Sequence, residues 1–336
     1  MTAYNAIAIG LGVIAGLAVV AYAGGNVEVA LSTLFLNPIT TSSGVQQIFV
    51  RFVVFYTMAM GIGFALKAGL WNIGAQGQLV VGMVMVFVAY TYMAFLPWPL
   101  LYLSMILLAT LGGLLWIVVP AVLRVRFGAN EIVVTLLLNV VASNFGYYML
   151  NGPIKSGQSG GYPYTATLVP QFRIPNIVSG TPITYAVPFT VAIGILLYFL
   201  VERTSFRIKA NTVGESAETA KYAGISIQRV MITTMLVAGA LAGLAGATFQ
   251  LGYLYHLDAG SFGTNFGFIA VIAALVGRKH MIGIGFASIF FAYITIGAEA
   301  MALQSNVTTS VVFAMEGVIM IGLLLSAYLT ERRTRT

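Results

Sequence analysis

The amino-acid sequence predicts an all-α polytopic membrane protein with about ten transmembrane helices and both termini in the cytoplasm. Of its 336 residues, 59% are hydrophobic and 7% are charged, whereas a soluble domain carries roughly 25% charged residues. Residues 68–123 contain no Asp, Glu, Lys or Arg, and this stretch is long enough for two crossings of about 20 residues each. Long unbroken apolar runs favour helices over a β-barrel, whose strands alternate apolar and polar residues.

Ten apolar runs, bounded by charges, prolines and polar clusters, are the predicted spans. The eighth run is near the lower length limit for a crossing, so a half-helix or a re-entrant segment is an alternative there. Glycines and prolines punctuate residues 151–183, which predicts one long external loop. The whole chain, 1–336, is predicted to form a single transmembrane domain. The predicted spans are 6–23, 48–66, 76–95, 99–121, 132–150, 184–201, 230–250, 266–277, 281–298 and 307–329.

The distribution of positive charge predicts the orientation of these spans. If the N-terminus is inside and the spans alternate, 13 of the 16 Lys and Arg residues fall on the inner side. Only Arg51, Lys155 and Arg173 fall outside. Because cytoplasmic loops are enriched in Lys and Arg, this layout is favoured over the inverted one. The first apolar run has neither a positive n-region nor a clear cleavage site, so we expect a retained helix.

Several classes of function are disfavoured by what the sequence lacks. Cysteine is absent, which excludes disulfides, thiolate metal sites and cysteine nucleophiles. The two histidines match no metal-binding spacing and no GxxxxGK[ST] phosphate loop occurs. We therefore predict no catalytic residue, no metal site and no cofactor. The net charge of +7 comes from short loops beside the spans, which indicates orientation signals rather than a surface for nucleic acid.

Amide side chains cluster where the second and third predicted spans meet. Asn72, Gln76 and Gln78 stand among closely spaced glycines, a composition that predicts a broken helix. Irregular backbone at membrane depth is tolerated where protein or a water-filled cavity satisfies it, so these amides are candidates for a substrate pathway. The alternative is helix packing, in which glycines allow close approach and amides bond across helices.

Two further polar residues interrupt apolar spans and are candidates for the same pathway. Asn139 lies near the middle of the fifth span, whereas Asn130 and Glu131 suit the start of a helix. Glu316 lies nine residues into the tenth span, where a carboxylate costs about 3 kcal/mol unless it is neutral, paired or facing water. Arg51, in the outer part of the second span, is its expected counterpart.

The largest predicted cytoplasmic insertion, residues 202–229, is expected to contain a short helix. Two acids are expected in its first turn and a lysine near its other end, as the helix dipole favours. Glycines are expected to bound the helix, and its alanines allow a partner protein to approach closely. An ordinary surface connector is the alternative. The residues of interest are Gly214, Glu215, Ala217, Glu218, Ala220, Lys221 and Gly224.

Four stretches resemble the permease subunits of ATP-binding-cassette (ABC) importers in the branched-chain amino acid, simple sugar and nucleoside superfamily, especially the nucleoside-type branch. The resemblance covers about residues 45–325 and implies a ten-helix permease with its coupling helix between the sixth and seventh spans. Members similar to this chain often carry Glu where it has Gln76. The stretches are GLWNIGAQGQ (69–78), GANEIVVTLLLN (128–139), VGESAETAKYAGI (213–225) and GFIAVIAALVGRKH (267–280).

The resemblance implies a transport subunit rather than an enzyme, placed in the inner (cytoplasmic) membrane. It implies three partners: a cytoplasmic ATPase that uses the ATP and docks on the 213–225 segment, a second homologous permease, and an extracytoplasmic solute-binding lipoprotein. A heterodimer of permeases is expected rather than a homodimer. The expected solute is a nucleoside, with a simple sugar or related solute as the alternative. An ion-coupled secondary transporter that uses Glu316 is the alternative from another class.

Overall fold

The computed structural model describes residues 3–22, 24–157 and 162–304, together with residues 317, 318, 321 and 322. This part of the chain is helical, and its β-type pairing is confined to two isolated bridges. Its α-helices are α1 (Ala3–Tyr22), α2 (Val27–Phe35), α3 (Asn37–Thr40), α4 (Ser42–Lys67), α5 (Ala75–Tyr92), α6 (Trp98–Phe127), α7 (Glu131–Asn151), α8 (Ala186–Leu197), α9 (Ser205–Glu215), α10 (Ala217–Tyr222), α11 (Ile227–Phe249), α12 (Phe266–Val276) and α13 (Met281–Gln304).

Seven helical segments of the described residues are long and apolar enough to cross a membrane. The bent pair α8–α9 makes an eighth if it counts as one span. The last predicted span, 307–329, lies largely outside the described residues. The multi-pass helical class is therefore confirmed, while the ten-span count and the cytoplasmic termini stay predictions. The seven segments are Ser42–Lys67, Ala75–Tyr92, Trp98–Phe127, Glu131–Asn151, Ile227–Leu254, Ala259–Val276 and Met281–Gln304.

The connection between the first two predicted spans contains two short helices, α2 and α3, that the apolar runs do not indicate. The side chain of Asn26 starts α2 by accepting hydrogen bonds from the backbone N–H groups of Glu28 and Val29, at 2.9 and 3.1 Å. Thr41 caps α4 in the same way. Helix α4 therefore begins at Ser42, six residues before its predicted start. The apolar run starts later because the first turns of this helix are polar.

Closely packed glycines hold α5, α6 and α11 together in the core. A Cβ atom added to Gly82 of α5 would lie 2.8 Å from the Cα of Gly243 in α11, and one added to Gly113 of α6 would lie 2.7 Å from the same atom. A Cβ on Gly239 would meet the carbonyl oxygen of Gly113 at 2.6 Å. Backbone therefore packs on backbone at this point, and three spans meet around Gly243, as the GxxxG spacing in α11 predicts.

The cytoplasmic insertion predicted at 202–229 follows a sharp bend. Helix α8 continues through a π-helical turn, Tyr198–Glu202, and the chain then turns by 72° into α9. Ser216 separates α9 from α10, and α11 begins five residues after α10 ends. The bend places α9 and α10 beside the end of α4, which positions the candidate site.

Candidate functional site

The break between α4 and α5 spans residues 68–74, the first part of the stretch predicted to be irregular, whereas Gln76 and Gln78 lie in the first turn of α5. Gly69 adopts a φ of +74°, a left-handed conformation that glycine takes without steric cost. A Cβ on Gly74 would lie 2.9 Å from the Cβ of Thr135 in α7. Glycine is thus required at one end of the break by backbone conformation and at the other by the close approach of α7.

Asn72 and Gln78 form a reciprocal amide pair across this break. Nδ2 of Asn72 donates to Oε1 of Gln78 at 2.9 Å, and Nε2 of Gln78 donates to Oδ1 of Asn72 at 3.0 Å. The same Asn72 oxygen accepts from the backbone N–H of Gly74 at 3.1 Å. Both side chains are buried, at 1% exposure each. The pair closes the loop on itself and satisfies polar groups that lipid could not.

The other two amides connect the break to neighbouring helices. Oδ1 of Asn139 in α7 accepts from the N–H of Gly77 at 2.8 Å, and its Nδ2 donates to the carbonyl of Ile73 at 2.9 Å. Gln76 donates to Oγ1 of Thr264 at 3.0 Å and accepts from the N–H of Gly267, in the first turn of α12, at 2.9 Å. Three of these four contacts are to backbone, so both residues fix helix positions.

The structure therefore brings Asn72, Gln76, Gln78 and Asn139 together, and it gives each of them partners within the chain. Asn139 is eight residues from the start of α7, a rise of about 12 Å. This places the cluster towards the ends of the spans that are predicted to be cytoplasmic. Contact of these amides with a solute stays a prediction. Glu316, the fifth candidate, lies outside the described residues.

Arg51 pairs with Glu299 of α13; its expected counterpart, Glu316, lies outside the described residues. Its Nη2 lies 2.8 Å from Oε1 and 3.1 Å from Oε2 of the Glu299 carboxylate. Its guanidinium also lies 4.6 Å from the centre of the Phe266 ring. The ninth span was predicted to end at residue 298, which would leave Glu299 just beyond its end. Since α13 continues to Gln304, Glu299 lies inside the helix.

The short helix predicted within residues 202–229 is α10, and its start differs from the prediction. It begins at Ala217, because the side chain of Ser216 caps it by accepting from the N–H of Thr219 at 3.2 Å. Gly214 and Glu215 were expected to open this helix, but they end α9 instead. Glu218 in the first turn, Lys221 in the last turn and Gly224 just beyond the end, at φ +70°, are as predicted.

Ala220 faces the interior, which corrects its expected place on the partner-facing side of α10. It is fully buried in a small apolar cluster with residues of α4, α6, α9 and α11, such as Ala65 and Met235. All residues of α10 except Ala220 are exposed: Ala217, Glu218, Thr219, Lys221 and Tyr222. Tyr222 is 93% exposed. A helix of six residues thus presents a small face with an acid, a base and an aromatic ring.

Two contacts that the sequence does not indicate join the segment of α9 and α10 to the helix break. Nζ of Lys67, in the last turn of α4, lies 2.8 Å from Oε1 of Glu202 at the bend after α8. Their side chains are 9% and 4% exposed. Gly214 of α9 packs backbone against backbone on residues 67–69: a Cβ on Gly69 would lie 3.2 Å from the Cα of Gly214.

The sequence pattern of a transport family, described as the permease component of the branched-chain amino acid transport system, matches residues 44–325. The chain belongs to this permease family. The seven membrane-length helical segments of the described residues fit that membership. As a permease it is a transport subunit and not an enzyme, and it is a multi-pass membrane protein.

Three relatives illustrate the range of this permease family. The glucose ABC transporter permease protein TsgB13 of Haloferax volcanii is 29% identical, over 99% of this chain and 88% of its own length. The guanosine ABC transporter permease protein NupP of Bacillus subtilis is also 29% identical, over 94% of this chain and 90% of its own. A second guanosine permease of that organism, NupQ, is 24% identical over 70% of this chain and 75% of its own length.

Proposed function

We propose that this permease forms one half of the transmembrane pathway of an ATP-driven importer for nucleosides. The observation that carries the proposal is α10, a capped helix whose exposed Ala217, Glu218, Lys221 and Tyr222 form a compact surface for an ATPase beside the helix break. The similarity to two guanosine permeases supports a nucleoside as the solute. A simple sugar is the second candidate, because the glucose permease TsgB13 is as similar as NupP.

The partners follow from the same proposal. Bacillus subtilis has two guanosine permeases, NupP and NupQ, that are both similar to this chain. This supports a heterodimer with a second, homologous permease. A cytoplasmic ATPase supplies the energy, and an extracytoplasmic lipoprotein delivers the solute. The permease lies in the cytoplasmic membrane with both termini, α9 and α10 on the inner side, as the charge distribution favours.

Within this framework, the Asn72–Gln78 pair is the part of the amide cluster that opens to a solute. The two side chains bond to one another at 2.9 and 3.0 Å, so a polar solute that takes the place of the Gln78 amide can bond to Asn72 and leave the bond from the N–H of Gly74 to Asn72 intact. Gln76 and Asn139 hold backbone groups of Gly267, Gly77 and Ile73. Opening those bonds would expose backbone groups at membrane depth, which costs several kcal/mol. Glu316 is a further pathway residue in the proposal.

The test is uptake by the complex of both permeases, ATPase and binding lipoprotein, reconstituted into liposomes. Radiolabelled guanosine should enter only with ATP, and uptake should persist when ionophores collapse the proton and sodium gradients. Excess unlabelled adenosine or uridine should compete, whereas glucose should not. Gradient-driven uptake by the permease alone would contradict the proposal in favour of a secondary transporter. ATP-dependent uptake of glucose but not guanosine would show that the solute is a simple sugar instead.

A further inference from the structure

The cytoplasmic segment and the helix break touch at a joint with two kinds of contact. One is the ion pair between Lys67 and Glu202, at 2.8 Å. The other is the packing of Gly214 on the backbone of residues 67–69, where a Cβ on Gly214 would lie 2.9 Å from the backbone N of Gly69. A backbone contact with no side chain between is stiff, because neither surface can yield by changing a rotamer.

The charge pair lies at a hinge. Glu202 is the last residue of the π-helical turn Tyr198–Glu202, after which the chain bends by 72° into α9. Lys67 is the last residue of α4, just before the break. Single π-helical turns are rare in proteins, and many of those that occur lie at functional sites. The ion pair therefore ties the point where α9 turns to the point where α4 stops.

Burial strengthens the electrostatic attraction between Lys67 and Glu202. The side chains of Lys67 and Glu202 are 9% and 4% exposed, so solvent and salt screen their attraction little. Arg207 also approaches Glu202, at 3.7 Å, but its side chain is 54% exposed. Removing one member of a buried pair leaves an uncompensated charge, whereas replacing both by neutral groups of similar size is often tolerated.

From the joint, direct contacts continue to the amide cluster. Asn72, three residues beyond Gly69, bonds to Gln78 at the start of α5. The carbonyl of Ile73 is held by Asn139 of α7 at 2.9 Å. A displacement of α9 relative to α4 thus reaches the Asn72–Gln78 pair and α7 through a short, unbroken series of contacts.

We propose that Lys67 is a positioning residue for transport: its ion pair with Glu202 transmits movement of α9 and α10 to the break at residues 68–74. The inference rests on the proposed function, in which an ATPase moves α10. It adds the residues by which that movement reaches the amide cluster. An ion pair that only stabilises the fold would make the same contacts, so the experiment must distinguish a loss of folding stability from a loss of transport per ATP.

The test uses the reconstituted complex and the double variant Lys67→Met with Glu202→Gln, which removes both charges and keeps the side-chain sizes similar. It should assemble with its ATPase and hydrolyse ATP at the basal rate. The number of guanosine molecules carried per ATP should fall at least tenfold. The matched control is Lys209→Met, the same replacement at an exposed position of α9, which should leave that ratio within twofold of the unmodified complex.

A second variant exchanges the charges, Lys67→Glu with Glu202→Lys, and should recover a large part of the transport per ATP. This charge-exchanged variant also tests the role of the ion pair if the neutral double variant fails to assemble. Unchanged transport per ATP in an assembled neutral variant would overturn the proposal, as would an assembled charge-exchanged variant with no recovery. Failure of the proposed function would look different, because the unmodified complex itself would show no ATP-dependent guanosine uptake.

Discussion

Arg51 of α4 and Glu299 of α13 form a two-oxygen ion pair, with N–O distances of 2.8 and 3.1 Å. The arginine side chain is 15% exposed and the glutamate side chain 43%. Helices α4 and α13 are thus held by a charge contact in addition to apolar packing. The ring of Phe266 in α12 stacks below the guanidinium, so three helices share one cation.

Glu299→Gln should destabilise the permease by about 1–3 kcal/mol, since it removes the charge that compensates Arg51. The half-exposed glutamate keeps the effect below that of a fully buried pair. The measurement is thermal unfolding of the purified permease in detergent. Exchange of the two residues, Arg51→Glu with Glu299→Arg, should recover part of the loss. Equal melting temperatures for Glu299→Gln and the unmodified permease would show that the pair is not stabilising.

Gln76 should accept replacement by glutamate but not by leucine. A carboxylate at this position can accept from the N–H of Gly267 and from the hydroxyl of Thr264, so both hydrogen bonds persist with the hydroxyl reversed. Gly267 also lies in the first turn of α12, where the helix dipole favours a negative charge. Leucine leaves the N–H unpaired in a buried position.

We therefore expect Gln76→Glu to change the free energy of unfolding by less than about 1 kcal/mol and Gln76→Leu to lower it by about 1–3 kcal/mol. Guanosine uptake by the reconstituted complex should be retained in the first variant and reduced in the second. If Gln76→Leu were more stable than Gln76→Glu, the hydrogen bonds of Gln76 would not be what stabilises this position.

The exposed and buried faces of α10 provide a matched pair of alanines. Ala217→Arg should change the free energy of unfolding by about 0.5 kcal/mol or less, because the side chain is exposed. It should nonetheless abolish binding of the ATPase, since a long charged side chain enters the proposed contact. Pull-down of the ATPase by the detergent-solubilised permease measures this. Gln228→Arg, exposed at the start of α11, is the control and should bind normally.

Ala220→Arg should act differently, because it forces a charge into a buried apolar cluster. We expect a loss of about 3 kcal/mol or more in stability and little folded permease in the membrane. Normal ATPase binding by Ala217→Arg would remove α10 from the proposed contact, whereas normal folding of Ala220→Arg would contradict the burial of this position.

Helix packing around Gly243 sets another expectation. Gly113→Ala places a Cβ 2.7 Å from the Cα and N of Gly243, so the helices must separate, at a cost of about 1–3 kcal/mol. Gly10→Ala in α1 is the control, because nothing lies within 4 Å of its added Cβ. It should be neutral or stabilising, since alanine favours helices over glycine. Thermal unfolding of both variants tests the difference.

Orientation can be tested with single cysteines, because the chain has none of its own. Ser179→Cys lies in the predicted external loop and Ala223→Cys follows α10, both at exposed positions. A membrane-impermeant maleimide should label the first in intact cells and the second only after the membrane is opened. Labelling in the opposite order would mean that the predicted orientation is inverted.

The spans could be predicted from sequence because they depend on local composition. The charge-free stretch at residues 68–123 contains α5 and most of α6, and the glycines at 69 and 74 mark the break between α4 and α5. The short helices α2 and α3 could not be predicted in this way. Helix α2 depends on its cap, Asn26, and α3 is a four-residue helix with a proline in its first turn, so neither is marked by an apolar run.

The pairing of charges could not be predicted, because it joins distant parts of the chain. Lys67 and Glu202 are 135 residues apart, and Arg51 and Glu299 are 248 apart. The buried side of α10 was also beyond reach, since six residues contain too few apolar positions to define a face. Only the tertiary packing against α4, α6, α9 and α11 decides that Ala220 points inwards.

The length of α6 has a consequence for the membrane that surrounds the permease. The 26 residues from Trp98 to Leu123 precede its first arginine and rise about 39 Å, whereas the hydrocarbon core of a bilayer is about 30 Å thick. A helix longer than the hydrocarbon core fits the bilayer by tilting, by kinking or by thickening the bilayer locally. Because the backbone of α11 packs directly on α6 at Gly239 and Gly243, we expect any change in the tilt of α6 with bilayer thickness to carry α11 with it.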